Sequence, residues 1–184
     1  MKITQQLPRA GMKQKQQGFA LLETLIAIVV LMIGLLAVLA TFALAIGNTQ
    51  SVQLDAIARQ KAAEAMESIF TARHSGSRSF DQLQNVGSGT GIFTQGFTLL
   101  TEPGADGLVG TADDDPPATV TVPGSNGTSS APVTISLANF TRQIQISNVA
   151  NNPNVRRITV TVKYPVPQGW YRTYEVRALI SSFR

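Results

Sequence analysis

From Leu25 to Ile46 the chain is apolar throughout, with no charge and no proline, and Gly34 and Thr41 are its only interruptions. A helix needs about 20 such residues to cross the roughly 30 Å hydrocarbon core of a bilayer, so this run is long enough to span. Glu23 stands two residues before the run opens. A charged side chain at the bilayer centre costs about 2.5–3.5 kcal/mol even on a lenient scale. An acid at that depth is therefore a candidate functional group, and something must compensate it.

The net charge of +4 suggests a nucleic-acid partner until the charges are located. Lys2, Arg9, Lys13 and Lys15 all precede Gly18, and no acid does. Beyond Gly18 the eleven remaining basic side chains balance the eleven acidic ones. The basicity belongs to the first 18 residues, where it acts as a topology signal that retains them in the cytoplasm. No direct nucleic-acid partner is expected. The absence of cysteine excludes a disulfide framework, a thiolate nucleophile and a zinc ribbon.

After residue 47 the apolar pattern narrows to one face. Leu54, Ala58, Ala62, Ala65 and Ile69 recur at helical spacing, with Gln60, Glu64, Glu67 and Thr71 on the opposite side. The spacing predicts a helix that leaves the membrane and becomes amphipathic over residues 48–74. Continuous from Phe19 to Arg73, it would be roughly 80 Å long. Arg73, His74 and Gly76 mark its end, and His74 is read as a C-terminal cation or surface residue.

Residues 75–91 are rich in Gly and Ser and read as a connecting loop with little order of its own. The period then switches to two. Strands are predicted over 93–100, 118–122, 140–149, 155–164 and 171–180, with a surface loop over 123–132 and turns at 151–154 and 165–169. Short links between the last three favour an antiparallel meander. Trp170, Tyr171, Arg172 and Tyr174 could form a recognition surface, but strand and core packing is the simpler role and the one expected. The fold class is α+β, a sheet over residues 92–184 packing its apolar face on the amphipathic half of the helix.

Several readings fit the N-terminal region. A secretory signal peptide has a small-residue cleavage site available around Ala43 and Ala45, but the apolar run is longer than the usual 7–15 residues and carries Glu23. A plain signal anchor explains the length and the basic flank and leaves Glu23 without a purpose. A third reading comes from resemblance. Gly18, Phe19, Ala20, Leu21, Leu22, Glu23, Thr24 and Leu25, after a basic leader and before an unbroken apolar run, resemble the class III signal of type IV pilins and pseudopilins.

That resemblance implies a pilin fold and removal of leader residues 1–18 by prepilin peptidase, cutting between Gly18 and Phe19. It also implies methylation of the Phe19 amine and an assembly role for Glu23. Residues 19–47 would serve as the transmembrane and assembly half of the helix, in a single pass through the inner membrane with the head outside the cytoplasm. The other pilin or pseudopilin subunits are the implied partners. Residues 58–73, Ala-rich and bearing Glu64 and Glu67, are similar to the helix of PilV-type minor pilins. Two departures stand out: no proline breaks residues 19–73, leaving only Gly34 to loosen the helix, and the C-terminal cysteine pair of many pilins is missing.

Physical chemistry supplies a reason for the acid. On one helix the Phe19 amine and Glu23 lie about 6 Å apart along the axis. A neighbouring subunit shifted along a bundle brings its own amine to Glu23. Leaving one member of a buried pair unpaired costs about 3–5 kcal/mol, so pairing would fix the stagger between subunits.

Residues 102–115 hold five of the eleven acids among glycines. Converging carboxylate and backbone oxygens suit calcium, with Asp106, Asp113 and Asp115 as candidate ligands, although the spacing is not that of an EF-hand. A solvated acidic turn is the simpler alternative. No cofactor is otherwise required. No nucleophile and base pair is visible, and the glycines of residues 87–91 lack a phosphate-loop lysine. The expected function is structural, a minor pilin of a type IV pilus or type II secretion pseudopilus, and not enzymatic. The competing class is a membrane-anchored extracytoplasmic domain that binds a ligand and never polymerises.

Overall fold

The computed structural model describes residues 17–115, 119–122, 132–167 and 169–183. The leader as far as residue 16, the predicted strand start at 118 and the loop expected over 123–131 lie outside the described residues. The chain divides after Ile46 into two compact units.

The first unit holds the opening part of helix α1 (Gln17–Ser75). Every side chain from Phe19 to Ile46 is exposed. Its hydroxyls turn back on the helix itself: Thr24 Oγ1 donates to the Leu21 carbonyl at 2.9 Å and Thr41 Oγ1 to the Val38 carbonyl at 2.7 Å. An apolar surface with its polar groups satisfied internally is what a lipid environment demands. The most apolar 18-residue stretch reaches a mean hydropathy of 3.0 with none of it buried, enough to cross a membrane.

The second unit begins with the rest of α1. Ala58, Ala62, Ala65 and Ile69 are fully buried, with Ile57, Met66 and Ala72 nearly so, while Gln60, Glu64, Glu67 and Thr71 are exposed. The amphipathic pattern is thus realised, and its small alanines allow a close approach to the sheet. The helix stops at Ser75 because Gly76 takes φ 76°, a left-handed conformation glycine adopts at no steric cost.

The main sheet is built from β1 (Thr98–Leu99), β4 (Thr141–Val149), β5 (Asn152–Pro165) and β6 (Tyr171–Ser181), ordered β1-β4-β5-β6 and antiparallel throughout. Ile144, Ile158, Val160, Val162 and Ile180 point inward to join the helix stripe in one core. Each such side chain contributes about 1.5–3 kcal/mol on full burial. A separate pair, β2 (Thr119–Val122) with β3 (Val133–Ser136), forms a second small sheet.

Four local readings differ from the structure. The strand expected over 93–100 shrinks to Thr98–Leu99 because Gly96, at φ 80°, breaks the extended run, leaving Phe93 in an isolated bridge to Asn85. Strand β3 was missed because four residues beside a Gly/Ser-rich stretch give too short an alternation. The β4–β5 turn is tighter than the Asn-Pro sequence suggests, since Val149 already pairs with Asn152 across Asn151 at φ 62°. Residues 75–91 carry real order: Ser79 and Gln82 form a reciprocal cap on a 3₁₀ helix (Phe80–Gln82), and Leu83 is fully buried.

Candidate processing and assembly site

The second residue of α1 is Gly18, so the glycine, Phe19 and Glu23 share one stretch of helix. Phe19 is 80% exposed. Spaced at helical intervals, Phe19, Leu22, Glu23 and Ile26 line one open face. Among the described residues no ion pair engages Glu23. The face therefore offers an apolar surface with one carboxylate.

The acidic loop is organised differently from a converging cage. Asp106 meets Arg78 Nη2 at 3.0 Å through Oδ2 and accepts the Leu108 amide at 2.8 Å through Oδ1. Asp113 accepts the Asp106 amide at 3.1 Å and the Thr111 hydroxyl at 2.9 Å. These donors, the Thr111 hydroxyl foremost, hold the Asp113 carboxyl below the usual carboxylate range. Asp115 is exposed and contributes its amide to the Glu102 carbonyl at 3.2 Å. Asp106 and Asp113 are thus brought together, and Asp115 is not. Among the described residues no three metal-ligating side chains form a cluster.

The inward acid is Asp114, which the sequence reading passed over. It accepts the Gly110 amide at 2.7 Å, the Thr111 amide at 3.2 Å and hydroxyl at 3.0 Å, and the Thr101 hydroxyl. Arg142, 2% exposed, places Nη2 3.8 Å from Asp114 Oδ2 and 3.4 Å from Thr101 Oγ1. Burial lowers the pKa of this guanidinium, with Asp114 opposing the shift. Lys61, also buried, reaches Glu64 at 2.8 Å and Glu102 at 3.6 Å. The loop is therefore tied to α1 through Lys61 and to β4 through Arg142. Close packing explains its glycines: a Cβ at Gly104 would stand 2.1 Å from the Asp113 carbonyl oxygen, and one at Gly110 2.7 Å from Ile144 Cδ1.

A second missed cation sits at the far end of the sheet. Arg156, on the inward face of β5, stacks 4.0 Å from the Phe80 ring centroid and donates to the Phe80 and Leu83 carbonyls. Both buried arginines occupy inward positions of a period-two pattern, a signal readable in the sequence. The aromatics assigned to the core divide: Tyr174 is half-buried, whereas Trp170 is 76% and Tyr171 61% exposed.

Residues 13–39 match the family described as the prokaryotic N-terminal methylation motif. No curated protein and no solved structure matches the chain. The match covers the glycine, the phenylalanine, the acid and the first part of the apolar helix. It supports a type IV pilin-like prepilin signal, which implies processing by prepilin peptidase and a structural subunit, and the signal opens a helix long and apolar enough to cross a membrane.

Proposed function

We propose that the chain is a minor pilin-type subunit, cut between Gly18 and Phe19, N-methylated at Phe19, and assembled into a type IV pilus or type II secretion pseudopilus. Before assembly, residues 19–47 hold it in the inner membrane with residues 48–184 outside the cytoplasm. The observation that carries this reading is the methylation motif lying on an exposed apolar helix whose acid has no ion-pair partner among the described residues. The Ala-rich, Glu-bearing stretch over residues 58–73 supports the minor rather than the major role.

In this reading Glu23 is the carboxylate for the methylated amine of a neighbouring subunit. A low-dielectric surround makes the pair strong and its absence costly. The test is Glu23→Ala in cells that assemble filaments. Processing should be retained and incorporation lost, whereas normal incorporation would overturn the pairing.

A further inference from the structure

β6 closes the main sheet on the side opposite β1, and among the described residues no strand pairs with its outer edge. Two hydrogen bonds settle which backbone groups that edge exposes. Just beyond one end of β6 the Ser182 amide donates to the Asn154 carbonyl at 2.8 Å, and beyond the other the Val166 amide donates to the Trp170 carbonyl at 2.9 Å. Both lie in register with the ladder, in which Arg172 opposes Tyr164 and Ile180 opposes Arg156. Bonded and non-bonded pairs alternate along an antiparallel ladder, so the even-numbered residues of β6 turn their backbone groups toward β5. Tyr171, Thr173, Glu175, Arg177 and Leu179 turn theirs outward. Arg73 shows the same parity, since its Nε donates at 3.4 Å to the carbonyl of Ser181, the next odd-numbered residue. Among the described residues the outward amides and carbonyls of Thr173, Glu175, Arg177 and Leu179 have no partner.

Sheet edges are commonly blunted by shortness, by a bulge, by proline or by unpaired charge. β6 has eleven residues, an unbroken register and no proline. Its outward charges, Glu175 and Arg177, sit two residues apart on one face and pair with each other, so they set no net field against an incoming strand. By contrast β1, at the far edge, has two residues. On the inward face Tyr174, Val176 and Ala178 are only partly buried at the margin of the core, and a strand laid along β6 would cover them.

We propose that this edge is a strand-addition site for an extended segment of another protein, paired antiparallel with residues 173–179. The charges specify the segment. An antiparallel strand runs in reverse order, so an acid opposite Arg177 comes two residues before a base opposite Glu175. Apolar residues between and beside these charges fall next to Tyr174, Val176 and Ala178. Main-chain bonds supply the affinity and the alternate side chains the specificity. The edge lies wholly within the second unit, and the proposal does not rest on the prepilin reading.

The probe is the capped peptide Thr-Val-Glu-Val-Lys-Val-Thr, labelled with a fluorophore and titrated by anisotropy against the full chain in detergent micelles. In the proposed register its Glu and Lys amides bond to β6 and its valine amides point away. N-methylation of the Glu and Lys amides should weaken binding about tenfold or more, and N-methylation of two valine amides should leave it within about twofold. Arg177→Pro removes an outward amide and none from the β5 ladder, so it should abolish binding while a circular-dichroism melt shows the head still folded. The two methylated peptides decide the matter on the unaltered chain even if the proline disturbs the fold. Saturable binding with that methylation pattern supports the site. No saturable binding at millimolar peptide, or equal loss from both methylation patterns, overturns it. A chain that is dimeric in the micelle and becomes monomeric with Arg177→Pro overturns the separate partner and gives the edge to a second copy.

Discussion

The Tyr164 hydroxyl donates to Asp55, joining β5 to the first turns of the packed part of α1 across more than a hundred residues of sequence. Burial, the bond to Asp55 and the negative charge of that carboxylate push the Tyr164 pKa up to about 12. Tyr164 also stacks on Phe140 at 5.8 Å, so its ring is held independently of its hydroxyl.

Tyr164→Phe should therefore keep the packing and lose only the bond. Hydrogen bonds to charged groups are worth about 1.5–3 kcal/mol, and the loss should fall at the lower end because Arg172 remains beside Asp55. The pH dependence has a definite sign. A folded pKa raised above the ordinary value of about 10 means the folded state holds the proton more tightly. The contribution is complete below pH 10 and disappears as pH rises from about 10 to 12. Denaturant titration of the two chains across this range should show their difference shrinking only on the alkaline side.

The charge pair at the acidic loop should respond asymmetrically. Asp114→Ala strands a buried guanidinium and frees the amide and hydroxyl donors of Gly110, Thr111 and Thr101, a loss of about 3–5 kcal/mol. Arg142→Met leaves Asp114 with all those donors and removes an arginine whose Nε is buried without a hydrogen-bond partner, so it should cost about 1 kcal/mol or less. Equal losses in thermal denaturation, or the reverse order, would contradict the arrangement.

Calcium should have little effect on the head. The oxygens of Asp106 and Asp113 already accept from Arg78, Thr111 and two amides, and Asp115 points elsewhere. A cation would have to displace these donors before it gained ligands. Thermal melts in millimolar calcium and in chelator should coincide within about 1 °C, and a rise of several degrees would restore a cation site.

Gly34 has open space around it: a Cβ there would meet nothing within 4 Å. Gly34→Ala should leave insertion and head stability unchanged, as judged by membrane fractionation and melting. Because alanine favours the helix interior by about 1 kcal/mol, any defect should appear only when subunits assemble, where the helix has to loosen or a neighbour approaches closely.

The parts of the fold that were legible in the sequence are those with a long period. The 22-residue run from Leu25 to Ile46, the stripe from Ala58 to Ile69 and three alternating strands each repeat one environment many times, so local errors cancel. The parts that were not legible depend on single residues and distant partners. Gly96 cuts a strand through one dihedral angle, and Ser79 and Gln82 order a loop by capping each other. Asp114 and Asp115 are adjacent acids of identical chemistry, and only the positions of Arg142 and Thr101 decide which turns inward. At the proposed processing site the logic is reversed. Gly18, Phe19 and Glu23 are a sequence motif, and what that motif asks of this chain is only a local helix, which α1 provides.

Intact-mass and peptide spectrometry of the chain recovered from cells that express prepilin peptidase reads the N-terminus itself. Cleavage after Gly18 should leave a chain that begins at Phe19 and carries one methyl group on its amine. A retained leader, or a chain beginning at Ile46 as signal-peptide cleavage would leave it, would refute the prepilin reading.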